Sequence, residues 1–597
     1  MCGIFGSIGG QTLEPRRVER AMSSLAHRGP DRQDTVVLPG VCLGHTLLSI
    51  IGDSPVSQPI RSLDGRGMLV FNGEIYNYLE LMEDDAVLRD ICRRRERSDS
   101  VVLVEGLRLY GDEFLERLNG MFAFAYHDLD TGSTTLVRDR LGIKPLFYSR
   151  VEGGIVFASE TRTVRLLTGL PFQPDPEGFY SYLRFRYPIM SRSFDRSIRQ
   201  LMPGHLLRVA ADGEETAVRW WTNLSAGGFG GSYEDALSEV EALLHSAIEL
   251  RMRSDHDFST FLSGGLDSSV LATVASRNKE RLDTYSIGIC GAEEFDESAF
   301  AHKVVEQLGT HHHPYMLGPE EFADQHLAMV AELEEPLGVP NQVAIKVLSR
   351  GISETHRVVL SGEGADEIFA GYGRIFLLPH DWELIGHNRG ATAGVREKLE
   401  RRYGKSMPES FMDLFFQRYG YTPHEYAVEA LRPWIGSVDG EALRESVEGD
   451  VRRLHDALDA DTPFNRMLLL FQNLHLPGLL YRVDAATMAH SVEARVPFLD
   501  HRLVEFVNTL PIEYKVRPIR PLSELTGLVA DEISEVHDIP KVMLKDIGRK
   551  MLPLQIVERR KMGFPIPSSF YSQGHPEGAV DYKMWTQRNL ELLAEAV

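Results

Sequence analysis

At 597 residues the chain is too long for one hydrophobic core, and roughly two to four domains are expected. Its composition, 43% hydrophobic and 25% charged, is that of an ordinary globular protein and excludes a disordered or fibrous chain. A net charge of −22 opposes binding to nucleic acid or to an anionic membrane surface, and the short run Arg93-Arg94-Arg95, set among acids, reads as a solvated helix face.

In chain order, the first two hundred residues carry short β-type runs at Met68–Phe71, Met121–Tyr126, Thr134–Val137 and Ile155–Phe157, each bounded by Gly, Asp or Asn turns. A helical pattern interrupts them at Asp99–Leu109, where Val102, Leu103, Gly106 and Leu109 share a face. Antiparallel strands with helices outside are expected. The stretch Ser225 to Ser232 is rich in glycine and reads as a flexible linker. Beyond it the pattern changes to helix Tyr233–Arg251, strand Phe258–Leu262, a helix from Ser268, strand Thr284–Ile289, helix Ser298–Leu308 and strand Arg357–Leu360. Strands alternating with helices predict a doubly wound parallel sheet whose ligand site lies outside the carboxyl ends of the strands. From about Ile375 the chain reads as helical and irregular. The expected division is therefore 1–215, a linker at 216–232, and 233–597.

The four cysteines (Cys2, Cys42, Cys92, Cys290) form no C-x-x-C pair, and a reducing cytoplasm is expected. Cys42, Cys92 and Cys290 read as inert packing residues. No secretory signal opens the chain, and the apolar stretch Met467–Leu480 is broken by Gln472, Asn473, His475 and Pro477, so it reads as a buried helix end and not as a membrane span. His311-His312-His313 reads as a partly exposed strand end, because three consecutive residues of a strand cannot all face one ion.

The sharpest motif is Ser263-Gly264-Gly265-Leu266-Asp267-Ser268-Ser269, between an apolar strand and a helix. The glycines let backbone approach a phosphate closely, and the serine hydroxyls and helix N-terminus supply donors. A carboxylate at Asp267 would repel bare phosphate, so a bridging Mg²⁺ is expected. No Gly-Lys-Ser/Thr follows, so this is not a Walker A loop. It resembles the pyrophosphate loop of the ATP pyrophosphatases, which cleave ATP to AMP and pyrophosphate. A second loop, Ser361-Gly362-Glu363-Gly364-Ala365-Asp366-Glu367, follows another predicted parallel strand, and the basic run Arg559-Arg560-Lys561 offers phosphate-neutralising charge.

Cys2 directly follows the initiator. Removal of Met1 would free an α-amine able to act as base toward the thiol. Three further segments accompany it: His27 to Asp31, Asn72-Gly73-Glu74-Ile75-Tyr76-Asn77, and Ser98-Asp99. Asn72 and the Gly73 N–H suit an oxyanion hole, and Glu74 and Asp99 suit a substrate ammonium.

Together with Arg138 to Leu146, Glu493 to Asp500 and Lys561, these segments resemble the glutamine-hydrolysing asparagine synthetase family over nearly the whole chain. The resemblance implies an N-terminal nucleophile α/β/β/α sandwich joined to a doubly wound ATP-pyrophosphatase domain with a helical C-terminal part. It implies Cys2 as nucleophile, Asn72 and Gly73 as oxyanion donors, and Glu74 and Asp99 as holders of glutamine. Ser263, Gly264, Gly265 and Ser268 then belong to the ATP loop, Leu262, Ile287, Ser361 and Gly362 to the AMP contacts, and Lys561 to pyrophosphate. Asp267 and Asp366 would bind Mg²⁺, and Glu363 would deprotonate ammonia arriving through an internal tunnel. Glutamine, ATP and a carboxylic acid, aspartate by default, are the implied small-molecule substrates, and a homodimer is compatible. Arg495 and Asp500 match the family signature with a structural role only.

Two departures stand out. Where the family usually has an Arg for the donor's α-carboxylate, this chain has Leu47, so a weaker hold on glutamine with a raised KM, another cation such as Arg28 or Arg61, or another donor is implied. After Glu334-Glu335-Pro336 the chain reads Leu337 to Ile345, with Val339 where many bacterial members have Asp, which favours a less polar acceptor. Two competing readings weigh less. An intramolecular amide-forming enzyme of the β-lactam synthetase type would lack the nucleophile that Cys2 supplies. A catalytically dead scaffold would not need both residue sets intact.

Overall fold

The computed structural model describes residues 2–10, 13–51, 56–95, 97–223, 225–291, 297–387, 393–403, 407–521, 524–525, 527–560, 566–571 and 581–597. The N-terminal part contains two antiparallel six-stranded sheets. One runs, in spatial order, Arg199–Gln200, Phe147–Val151, Gly154–Ala158, Gly3–Gly9, Val41–Leu47, Arg32–Leu38. The other runs Glu215–Arg219, His205–Val209, Ser133–Arg138, Gly120–Asp128, Gly67–Ile75, Ile60–Arg61. Ile4, Ile8 and Leu43 of the first sheet pack on Met68, Val70 and Leu136 of the second, which makes a sandwich. The outer face of the second sheet is covered by helix Asp99–Tyr110, through Val102 and Leu103 against Leu69 and Phe71. Alternation of side chains along each strand lets both faces of these sheets be buried at once.

The C-terminal part is built on a five-stranded parallel sheet in the order His311–Leu317, Asp283–Ile289, Phe258–Phe261, Val358–Leu360, Glu493–Arg495. Strand order reverses on the two sides of Phe258–Phe261, which creates the crevice expected of this fold. The last strand corrects the sequence reading, which left everything beyond Ile375 helical and irregular. Three residues are too few to show a period of two.

The linker also differs in detail. Residues 215–219 form an edge strand of the second sheet, and Ser225–Ala226 pairs in parallel with Asp459–Ala460. Helix Tyr233–Arg251 then starts at Ser232, which caps it by a reciprocal pair of bonds with Asp235. Met467–Leu480 spans the end of helix Pro463–Leu474 and the start of helix Leu476–Met488, both deeply buried. Helix Pro176–Phe185 comes from the N-terminal half yet packs among the C-terminal helices, with Phe179 stacked on Trp434 at 5.5 Å. Cys42 and Cys92 are buried as expected, but Cys290 is exposed, because it lies one residue past the strand Asp283–Ile289, where the chain leaves the sheet.

Candidate functional site

The two strand-to-helix turns singled out in the sequence meet across the crevice. Ser263 Oγ accepts from the Gly265 N–H at 3.2 Å and lies 3.1 Å from Ser268 Oγ, so the loop folds over its own hydroxyls. Gly264 has φ +72, and a Cβ there would sit 2.4 Å from the Ala301 nitrogen, which leaves room only for glycine. Gly362 approaches so closely that its Cβ would lie 3.2 Å from that of Asp267. Leu262, Ser263, Gly265, Asp267, Ser268, Ile287, Ser361, Gly362, Glu363 and Asp366 line one cavity of about 870 Å³. Gly264 instead backs onto the helix at Phe300 and Ala301.

Two cations that the sequence reading missed organise the acids of this cavity. Lys541 Nζ lies 2.8 and 2.6 Å from the carboxylate oxygens of Asp267 and 2.6 Å from Asp366. Burial works against its charge, but the two carboxylates hold the ammonium protonated, above its usual range. Two carboxylates thus converge on one positive charge, a set that also suits a hard divalent cation. Arg482, from helix Leu476–Met488, donates to Glu363 Oε1 at 2.5 Å and to Asn341 Oδ1 at 3.1 Å. Its signal was faint. Arg482 and Asp484 are two charges in an apolar helix, and buried charges need partners. Lys541 had no local signal. Arg559 donates to the Gly264 carbonyl at 3.2 Å, which places the start of the basic run at the loop, while Lys561 lies outside the described residues.

The second site lies where the first strand enters the sandwich. The backbone N–H of Cys2 donates to Asn72 Oδ1 at 3.1 Å, and Asn72 Nδ2 is buried with no partner among the described residues. Gly73 has φ +155, and a Cβ there would meet the Met121 carbonyl at 2.0 Å. Cys2, Leu47, Phe71, Gly73, Glu74, Ser98 and Asp99 line a cleft of about 40 Å³. Burial pushes the Cys2 thiol up to about 11, so it needs a base to become a thiolate at neutral pH.

Charge in this cleft is unbalanced. Glu74 lies 3.6 Å from Arg495, which also donates to Glu493 at 2.5 Å. Burial, with Glu493 and Asp99 nearby, raises Glu74 well above the usual carboxylate range, and its Oε2 has no partner among the described residues. Burial likewise lifts Asp99 to about 6, even though the Ile75 and Ser100 N–H groups donate to it. Burial raises Glu493 as well, but Arg495 overrides it and holds the group low. One arginine among three buried carboxylates leaves room for another cation.

Leu47 lines this cleft, and neither Arg28 nor Arg61 does. This corrects the idea that either replaces the missing arginine. Arg28 is buried and spends its donors on the Cys2 carbonyl at 3.2 Å, Glu160 at 3.2 Å and Asp484 at 2.8 Å. Arg61 is exposed on a two-residue strand at the sheet edge.

The two sites are joined through one helix. Arg482 and Asp484, two residues apart and so on opposite faces, reach Glu363 on one side and Arg28, and through it Cys2, on the other. Asp500 is a second joint, accepting from Asn119, Arg251 and Arg502 at 2.9 Å each. Burial would raise its carboxyl, but Arg251 and Arg502, with the Asn119 amide, hold it far below the usual range. Of the three histidines, His311 and His313 share a strand face and bond to Asp283 at 2.7 and 2.8 Å, at the opposite end of the sheet from the cavity, while His312 faces Thr284 and Ser286.

Comparison with known proteins matches residues 1–221 to the glutamine amidotransferase domain and residues 239–579 to asparagine synthase. This chain belongs to the asparagine synthetase family. Asparagine synthetase [glutamine-hydrolyzing] 1 of Bacillus subtilis is 27% identical over 583 residues, covering 95% of this chain and 87% of that protein. The putative asparagine synthetase of Mycobacterium tuberculosis is 30% identical over 596 residues, covering 95% and 88%. Amidase chyE of Penicillium rubens is 28% identical over 542 residues, covering 84% and 79%. The chain is accordingly a glutamine-dependent carbon–nitrogen ligase of the asparagine synthetase type. Among the described residues no helix is long and apolar enough to cross a membrane.

Proposed function

We propose that Cys2 releases ammonia from glutamine and that the ammonia attacks an acyl-adenylate formed from ATP and a carboxylic acid, yielding amide, AMP and pyrophosphate. The observation that carries this reading is the helix Leu476–Met488, which ties Glu363 to one face and the Arg28–Cys2 contact to the other. After loss of Met1, the α-amine that already points at Asn72 takes the thiol proton, and Cys2 attacks the glutamine amide. The oxyanion is met by Asn72 Nδ2 and the Gly73 N–H, while Glu74 and Asp99 hold the substrate ammonium and so gain the cation their burial lacks. In the large cavity Ser263, Gly265 and Ser268 receive pyrophosphate, with Gly264 shaping the loop behind them and Lys561 assigned to the same anion by the family resemblance, and Leu262, Ile287, Ser361 and Gly362 receive AMP. Asp267 and Asp366 would hold Mg²⁺, which supplies neutralising charge to pyrophosphate. Glu363 removes a proton from the incoming ammonium. The division into a glutaminase at 1–215, a linker at 216–232 and a synthetase at 233–597 belongs to this reading, as does action on small molecules in a reducing cytoplasm.

Cys2→Ala is the direct test. It is expected to abolish glutamine hydrolysis and leave amidation from ammonium salts intact, and loss of both in a folded variant would refute the two-site reading.

A second reading concerns the acceptor. Val339, Pro340, Asn341 and Ile345 do line the cavity, whereas Lys346 pairs with Glu332 and Arg350 with Glu321, facing away from it. An ammonium and a second carboxylate on the same short substrate would each need an opposite charge there. This favours an acid less polar than aspartate. Pyrophosphate exchange into ATP across a panel of acids decides it, and robust exchange with aspartate alone excludes it.

A further inference from the structure

The cavity that holds the ATP loop continues into an aromatic chamber, and one cation from the N-terminal half stands in its wall. Arg186 is the residue that ends helix Pro176–Phe185, and it does so in the left-handed region, with φ 75. Glycine takes that conformation freely, whereas an arginine there is held against its backbone preference. Strain of this kind persists only where the surroundings over-determine it, and here they are explicit. The guanidinium lies 3.7 Å from the centre of the Tyr421 ring and 5.5 Å from that of Tyr582, and it donates to the Tyr582 hydroxyl at 3.2 Å. Among the described residues no carboxylate pairs with it. This distinguishes it from Arg482 and Lys541, which are neutralised within the protein.

Val339, Leu479, Phe471 and His475 line the cavity together with Arg186 and the Glu363–Arg482 pair and give it an apolar and aromatic stretch. Aromatic faces hold a guanidinium in place but leave its edge donors free to meet an anion, and a planar fork of donors is the natural partner of a carboxylate.

We propose that Arg186 is a specificity-determining residue that binds a second carboxylate at the far end of the acceptor. The acceptor is then a dicarboxylic acid whose two acid groups are separated by an apolar or aromatic body. The reacting carboxyl faces the ATP loop and Glu363, the body lies along Val339 and Leu479, and the remote carboxylate meets the edge of Arg186. The amidotransferase half thereby supplies part of the acceptor site of the synthetase half. This deepens the proposed function and rests on it.

The test uses the full-length enzyme and acid-dependent pyrophosphate exchange into ATP. The probes are aspartate, aryl and alkyl monocarboxylic acids, and aryl and alkyl dicarboxylic acids. The expected result is that a dicarboxylic acid with an apolar body supports exchange at the lowest concentration. Arg186→Gly should raise the KM for that acid at least tenfold and leave the KM for ATP and the rate of glutamine hydrolysis unchanged. Because glycine relaxes the left-handed backbone, this variant should keep the wild-type Tm, and Arg186→Lys should restore part of the affinity. An unchanged acceptor KM in Arg186→Gly, or a monocarboxylic acid or aspartate as the best substrate, overturns the inference while leaving the amidotransferase reading in place. Absence of exchange with every acid in the wild type would overturn the proposed function instead.

Discussion

Around Cys2, three buried carboxylates share Arg495, whereas in the large cavity Asp267 and Asp366 meet Lys541 and Glu363 meets Arg482. The first cleft sets one arginine against three carboxylates, whereas the second sets two cations against three carboxylates, each of them directly paired. On the proposed reading this difference follows from what each site receives. The cleft takes a zwitterion whose ammonium completes the charge set. The cavity takes a polyanion, which Lys541 and Arg559 can meet by exchanging the carboxylates of Asp267, Asp366 and Glu297 for phosphate oxygens. A buried carboxylate with no cation is costly, so Glu74 and Asp99 are raised until a ligand arrives, while Asp267 and Asp366 are already satisfied.

The strongest prediction concerns the paired acids of the large cavity. Glu363→Gln removes the base but keeps the shape, and amide formation should fall about 10²–10⁴-fold. Acid-dependent pyrophosphate exchange should fall far less. Equal losses in the two assays would place Glu363 in adenylation. Next is the missing cation of the Cys2 cleft. Leu47→Arg would add a charge-assisted pair to the donor's α-carboxylate, worth roughly 1.5–3 kcal/mol. The KM for glutamine should then drop by about tenfold or more, and a KM unmoved or raised by the substitution would show that the α-carboxylate lies elsewhere.

The smallest effect is a pH dependence. Asp99 stands at about 6 in the folded protein, above its ordinary value of 3.8. The folded state therefore binds the proton more tightly, and the stability this contributes is complete below the ordinary value and lost as pH rises through about 6. Without glutamine, Tm should decline across that window, and Asp99→Asn should flatten the decline. The KM for glutamine should move the other way, falling as Asp99 ionises. A Tm profile identical in wild type and Asp99→Asn would mean that another group carries the titration.

Much of the site was legible in local runs of residues. Ser263 to Ser269 and Ser361 to Glu367 each follow closely on a strand end and carry a turn and a helix start within seven residues, so the backbone geometry that makes a phosphate cradle is written contiguously. The same is true of Cys2 beside the initiator and of Asn72-Gly73-Glu74. These turns also revealed the parallel sheet, because its strands alternate with helices at short range. The short strand Glu493–Arg495 escaped, as did the pairing of Ser225–Ala226, since neither is long enough to show a period.

What the chain alone left open was which charges meet. Lys541 lies 274 residues from Asp267, Arg482 119 from Glu363, and Asp484 456 from Arg28. No local pattern marks such pairs, because the requirement that a buried charge find its opposite is met in space and not along the chain. The same holds for Leu47, whose place in the Cys2 cleft is local while the engagement of Arg28 with Glu160 and Asp484 is not. Short runs of residues were enough to reveal the reacting groups and the turns that present them. The tertiary structure decided their electrostatic surroundings, since desolvation and Coulomb energy depend on burial and distance, and neither is a property of any short segment.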